Sequence, residues 1–170
     1  MDPEVVYDKL ADEYRAARLN VIYYGGRLVA LQRLNTILEM VIAIGTSGSV
    51  ASLALFQTNY GKVLFGAVVT ISAVFGVLKP ILALSKQIER VSKLWSGWNA
   101  HYYVLKAAVD SVALNHAITP DVEAIYQAAA TRVKELAAID DPKPDQKALG
   151  RIWEQVNREI PPESFPGLAA

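Results

Sequence analysis

Apolar and aromatic residues recur in the N-terminal part of the chain in alternating steps of three and four: Tyr7, Leu10, Tyr14, Ala17, Val21, Tyr24, Leu28, Leu31, Asn35 and Leu38. The same register continues as Ile42, Gly45, Ser49, Ser52 and Phe56. After a short polar stretch, Gln57 to Lys62, it resumes at Val63, Ala67, Thr70, Val74, Val77 and Ile81. It then runs on through Leu84, Ile88, Val91, Trp95, Trp98, Tyr102, Leu105, Val109, Val112 and His116. Such a seam predicts two long helices packed as a left-handed coiled coil. Folding at the polar stretch makes them antiparallel. Leu31 is then expected near Ile88, Tyr24 near Trp95, Ala17 near Tyr102 and Leu10 near Val109. Each arm is expected to run about fifty residues, roughly 75 Å of helix.

The placement of charge changes this picture. No charged residue occurs from Met40 to Gly61, and none from Val63 to Leu78. Lys62 separates the runs, and Lys79-Pro80 follows the second. A charge-free apolar run of about 18 residues or more is the signature of a membrane-spanning helix. The second run reaches that length if Lys79 extends its amine to the headgroups. Two spans joined by a short turn put both termini on one side. Arg27, Arg33, Lys79, Lys86, Arg90 and Lys93 flank that side, against Lys62 alone at the turn, which predicts cytoplasmic termini. The competing reading is a soluble bundle with one unusually apolar hairpin. Inside the spans the seam turns to small residues, as lipid-exposed helix pairs require. Gly45, Ser49 and Ser52 opposite Ala67 and Thr70 are the expected hairpin packing. Thr46, Ser47 and Gly48 point off the seam and are candidates for oligomer contact or pore lining.

The expected organisation is a cytoplasmic stalk helix over 1–39, a transmembrane hairpin over 40–85 and a second stalk helix over 86–118. Two C-terminal helices over 119–160 and an extended tail over 161–170 follow. Asp2-Pro3-Glu4 reads as the start of the first helix and Thr119-Pro120-Asp121 as the start of the third. The face Val122, Ile125, Ala129, Val133 and Leu136 suits docking on the stalk. Asp140-Asp141-Pro142-Lys143-Pro144 ends that helix, and a short one from about Asp145 to Glu159 buries Leu149, Ile152, Trp153 and Val156. The fold class is thus an all-α membrane protein.

Composition narrows the chemistry. The chain has 170 residues, 52% of them hydrophobic, and its mean hydropathy is +0.21, which fits a partly membranous protein. Its 17 basic and 17 acidic residues balance, so net charge gives no case for nucleic-acid binding. There is no cysteine, so disulfides and thiol chemistry are excluded. The acidic N-terminus has no apolar core of the kind a signal peptide needs. Gly45-Thr46-Ser47-Gly48-Ser49 lacks the last glycine of a nucleophile elbow and sits in a helix, so no catalytic serine is assigned. His101 and His116 have no partner at metal-ligand spacing, and no phosphate loop occurs. No catalytic residue, metal or cofactor is expected. Tyr23, Tyr24, Trp95, Trp98, Tyr102 and Tyr103 gather at one stalk level. They read as core packing, or, through Tyr24, Trp95, Trp98 and Tyr102, as a partner or ligand surface.

A long N-terminal helix carries Tyr23-Tyr24-Gly25-Gly26-Arg27 and Gln32-Arg33-Leu34-Asn35. It leads into a Gly/Ser-rich span, a short turn, a second span and a helical C-terminal region. From about Tyr7 to Leu136 this architecture resembles the SLATT family of bacterial two-span effector domains. The resemblance implies a multi-pass inner-membrane protein that homo-oligomerises and permeabilises the bilayer. Its implied trigger is a sensor or nucleotide-synthase partner, or a second messenger, in antiphage defence. Thr46, Ser47, Ser49 and Ser52 in one span, with Thr70 and Ser72 in the other, supply hydroxyls for such a role. The alternatives are a non-enzymatic membrane scaffold that holds a soluble partner on its stalk, and a holin-like protein.

Overall fold

A computed structural model of the chain describes residues 3–55, 59–140 and 144–165, with backbone alone for 3, 45–55, 59, 61, 62, 64 and 65. The described residues form an all-α structure of five helices and one short 3-10 turn. The helices are α1 (Pro3–Leu55), α2 (Asn59–Leu82), α3 (Leu84–Asn115), α4 (Pro120–Ile139) and α5 (Gln146–Glu159). They divide into two compact units. One is a helical bundle, Met1–Arg27 with Arg90–Ala170, and the other is a hairpin, Leu28–Glu89.

In the bundle, the seam residues Tyr7, Leu10, Tyr14, Ala17, Val21 and Tyr24 of α1 are all buried. Val91, Trp98, Leu105, Val109 and Val112 of α3 are buried as well. The Tyr14 and Tyr102 rings stack at 5.1 Å with their hydroxyls 3.1 Å apart. The Arg18 guanidinium lies 5.5 Å over the same Tyr102 ring. Tyr14 and Arg18 flank Ala17, the residue expected opposite Tyr102, so the register holds within a turn.

The off-seam side of α1 also carries a helix. Arg15, buried to 7% exposure, donates from Nη2 to Asn157 Oδ1 at 2.5 Å and lies 5.0 Å over the Trp153 ring. Arg18 reaches Glu159 Oε2 through Nε at 3.0 Å and Nη2 at 2.8 Å. Arg18 lies off the seam, where a solvated side chain is expected; instead it holds α5. Val156 of α5 is fully covered. The tail beyond Pro161, expected to be extended, forms a 3-10 turn at Pro162–Ser164. Phe165 then meets Tyr7 and Tyr14 edge-on at 6.4 and 6.3 Å.

Local signals place α4 and α5. The Thr119 side chain caps α4 by accepting from Val122 N, with Pro120 at the first position. Asp145 caps α5 by accepting from Ala148 N at 3.0 Å. α4 buries Val122, Ala129 and Leu136. Gly97 admits it: a β-carbon on Gly97 would overlap Leu136 Cδ2.

In the hairpin, the second arm is not one continuous helix. Pro80 removes a backbone donor near the end of α2 and its ring crowds the preceding turn. Ala83 adopts a left-handed φ of 46°, and α2 and α3 bend by 45° at this break. Ala83 N donates to Pro80 O at 3.2 Å, and the Gln87 side chain donates to Leu82 O at 2.8 Å, so two end carbonyls of α2 are satisfied.

Two glycines of the bundle make a paired test. Nothing lies within 4 Å of a β-carbon on Gly26, so Gly26→Ala is expected to stabilise by up to about 1 kcal/mol through helix propensity. Gly97→Val pushes on Leu136 and is expected to destabilise by about 1–3 kcal/mol, as overpacking does. Thermal unfolding followed by circular dichroism reads both. A Gly97→Val variant as stable as the parent, or more so, would mean that α4 does not pack on Gly97.

Candidate functional site

The covered face of α2 is formed by Val68, Ser72, Phe75 and Lys79. Ser72 Oγ donates to Val41 O of α1 at 3.0 Å, and Lys79 Nζ pairs with Glu39 Oε1 at 2.8 Å. Asn35 Nδ2 donates to the same Glu39 oxygen at 3.0 Å. The hydrogen bond from Lys79, with that from Asn35, holds the Glu39 carboxyl below the usual carboxylate range. Leu38 is buried on the α1 side. Neither polar contact was expected from sequence. A signal existed: Glu39 is the last acid before the apolar runs, and Lys79 is the first base after the second run.

The hairpin packing expected at Ala67 and Thr70 lies elsewhere on α2. Both residues are exposed, and Thr70 Oγ1 donates to Gly66 O of its own helix at 2.8 Å. The covered residues sit one to two positions further along. The expected register assumed an unbroken helix through Pro80, and the break at Ala83 resets its phase. The partner residues Gly45, Ser49 and Ser52, and the pore-lining candidates Thr46, Ser47 and Gly48, lie on the helical backbone of α1. Their side chains fall outside the described residues.

Among the described side chains of α2, the other apolar ones face outward. Val63, Ile71, Val74, Val77 and Ile81 are half or more exposed, as are Ile37, Met40 and Ile44 of α1. Among the described residues no single helix is long and apolar enough to cross a membrane. The bent pair Gly66–Leu82 with Leu84–Asn115 passes that test together, by length and composition.

The aromatic cluster is distributed through the bundle. Tyr24 is 1% exposed and its hydroxyl donates to Asp140 Oδ1, at the C-cap of α4. Burial, and then the Asp140 carboxylate, push the Tyr24 hydroxyl pKa far above its ordinary value. Arg90 donates to Ile139 O at 2.7 Å and to Asp140 O. Tyr23 OH accepts from Asp145 N at 3.0 Å and from Arg27 Nη1 at 3.4 Å. Asp140 and Asp145, which bracket the connection from α4 to α5, are thus both held on adjacent tyrosines. Trp95 packs its indole edge on Gly25 and stays 37% exposed. Trp98 is buried edge-on to His101 at 5.9 Å, and Tyr102 stacks on Tyr14. Of the four residues considered as a partner surface, Trp95 is exposed and Tyr102 partly so, while Tyr24 and Trp98 are buried.

No protein-family model matches the chain, and neither a curated protein nor a solved structure does so.

Two outcomes follow from the cluster. Tyr24→Phe is expected to cost about 1–2 kcal/mol, because a buried hydrogen bond is lost while Asp140 keeps its desolvation. Hydrogen exchange at the last turn of α4 should accelerate with it; unchanged exchange would show that the hydroxyl does not hold that turn. His101 is kept from protonating by desolvation, and then by the Arg132 charge, so its folded pKa lies below 6.5. Its contribution to stability is complete above that value. It declines as pH falls from there, because the unfolded chain binds a proton that the folded imidazole does not. Denaturant unfolding at about pH 7.5 and about pH 5.5 should show a pH sensitivity that His101→Leu reduces.

Proposed function

We propose that the chain is a membrane effector without catalytic activity. In this reading the hairpin enters the bacterial inner membrane with both termini in the cytoplasm, and copies assemble through it to permeabilise the bilayer. A sensor partner, or a second messenger, acts on the helical bundle to trigger assembly.

The observation that carries this reading is the outward apolar surface of the hairpin. Val74, Val77 and Ile81 are 52%, 64% and 70% exposed along α2, and Ile37, Met40 and Ile44 are comparably exposed on α1. Exposed apolar area costs about 25 cal/mol per Å² in water and nothing comparable in lipid. Contiguous patches of this kind mark membrane or protein contact surfaces. Gly66 and Gly76 leave open space on α2, which permits close approach of a neighbouring helix. The SLATT-like order of helix, Gly/Ser-rich span, turn and second span supports the effector role over a passive anchor.

The chain has no cysteine, so single cysteines report topology cleanly. Asn59→Cys should react with an impermeant maleimide in intact cells, and Ser164→Cys only after lysis. The reverse pattern would overturn the orientation, labelling of both in intact cells would point to a different topology, and protection of both until lysis would overturn insertion. Triggered expression should arrest growth and admit dye, and Ser47→Leu or Gly48→Leu should block this while the hairpin stays inserted. Insertion without arrest in the parent would favour the scaffold reading.

A further inference from the structure

A cavity of about 270 Å³ opens between α3 and α4 within the bundle. Alanines at 100, 128 and 129 hollow it out, where longer side chains would fill the space. Val104 and Ile125 form its apolar end. Arg132 lies at the other end: it sits near Gly97, one helical turn before His101 on α3. His101 lines the cavity, is 5% exposed, and its Nε2 makes no hydrogen bond. The indole Nε1 of Trp98, whose ring meets His101 edge-on, is likewise buried without a partner. Buried polar atoms in native proteins are satisfied as a rule, and exceptions gather where a site is built for something else.

The charge at this end is available at little expense. Arg132 Nη1 bonds Glu135 Oε2 at 2.8 Å, one turn along the same helix, with both side chains about half exposed. Such a pair contributes little, so an incoming carboxylate can replace Glu135. The space also sets a scale. An apolar cavity of about 150 Å³ accommodates benzene, so this one has room for two fused rings or a short acyl chain.

We infer that the α3–α4 cavity is a binding site for a small amphiphilic anion, an aromatic or short-acyl carboxylate. Its carboxylate lies on the Arg132 guanidinium beside His101, and its apolar body lies between Val104 and Ile125. This inference does not depend on the membrane reading, since every residue it uses belongs to the bundle.

The test uses the full chain in lipid nanodiscs and two probes, 6-fluoro-2-naphthoate and its uncharged amide, observed by fluorine NMR. The naphthoate line should broaden with the parent protein. Ala128→Trp and Val104→Trp fill the cavity from α4 and from α3, and each should abolish the broadening; both positions are exposed, so the bundle tolerates them. Arg132→Gln should weaken the naphthoate about tenfold, the scale of one charge-assisted hydrogen bond, and leave the amide unchanged. Absence of broadening with the parent overturns the site. So does broadening that survives in both filled variants, because the probe is then in lipid or elsewhere on the protein. Equal affinity for acid and amide in the parent overturns the anionic class.

Discussion

The bundle depends on the contact between the two seams that α1 and α3 share. Leu10, Ala17 and Leu105 have no exposed area at all, and Tyr14 and Tyr102 stack in the same interface. Two helices joined along one stripe leave their other faces available, and the rest of the bundle uses those faces. α4 docks on α3 at Gly97, and α5 docks on α1 at Arg15 and Arg18. Neither docking is a simple apolar zip. The first requires the absence of a side chain, and the second requires two arginines whose stems and guanidinium faces pack while their nitrogens find Asn157 and Glu159. Arg15, buried to 7% exposure, has its ionic partner Asp12 on its own helix at 3.5 Å and takes from α5 the Asn157 acceptor and the Trp153 face, so the position of α5 matters to α1 as well as the reverse.

The connection between α4 and α5 shows how that position is fixed. A helix ending in free carbonyls next to a flexible link gives a docked helix little orientation. Here Arg90 covers the carbonyls of Ile139 and Asp140, Tyr24 holds the Asp140 side chain, and Tyr23 accepts from the Asp145 amide. Asp145 then turns to cap α5. The adjacent tyrosines therefore act on the end of one helix and the start of the next. The cluster that reads in sequence as core packing or a partner surface is in this respect a fastening.

What could be read from the residues alone follows from what periodicity encodes. A three-four seam reports which positions are covered without naming the partner, so the burial of Tyr7 to Tyr24 and of Val91, Trp98, Leu105, Val109 and Val112 was legible. So were the caps at Thr119 and Asp145, because each needs one residue type at one place. The docking of α5 was not: Arg15 and Arg18 are charged, and charge off a seam ordinarily means solvent. The phase of α2 was not legible either. Pro80 warned of a break, but the residue that takes the left-handed turn is Ala83, a type that gives no such signal. One irregular residue rotates the helix before it, and a register counted through it then names exposed Ala67 and Thr70 in place of Val68 and Ser72. Phe165 folds back on Tyr7 and Tyr14 after two prolines, where the pattern offered only an extended tail.

On the proposed reading, the hydroxyls of the hairpin bear on where copies could assemble. Polar residues in a span suggest water or a neighbour only if their hydrogen bonds are unmet. Thr70 donates to its own helix, as threonines in spans commonly do, and Ser72 donates to the Val41 carbonyl across the hairpin. Lys79 is matched by Glu39, which lowers the penalty of a lysine at the end of an apolar run. Pairing does not remove Lys79 from the orientation argument, since acidic residues weigh little in it; Arg27, Arg33, Lys86, Arg90 and Lys93 in any case outnumber Lys62. Thr70, Ser72 and Lys79 of α2 are thus accounted for within one chain, and these three make no demand for a lumen. What α2 offers outward is open space at Gly66 and Gly76 and aliphatic surface, the material of close helix contact rather than of a wet wall. On the proposed reading, the burden of lining a pore therefore falls on α1, at Thr46, Ser47 and Gly48, and α2 serves the contact between neighbours.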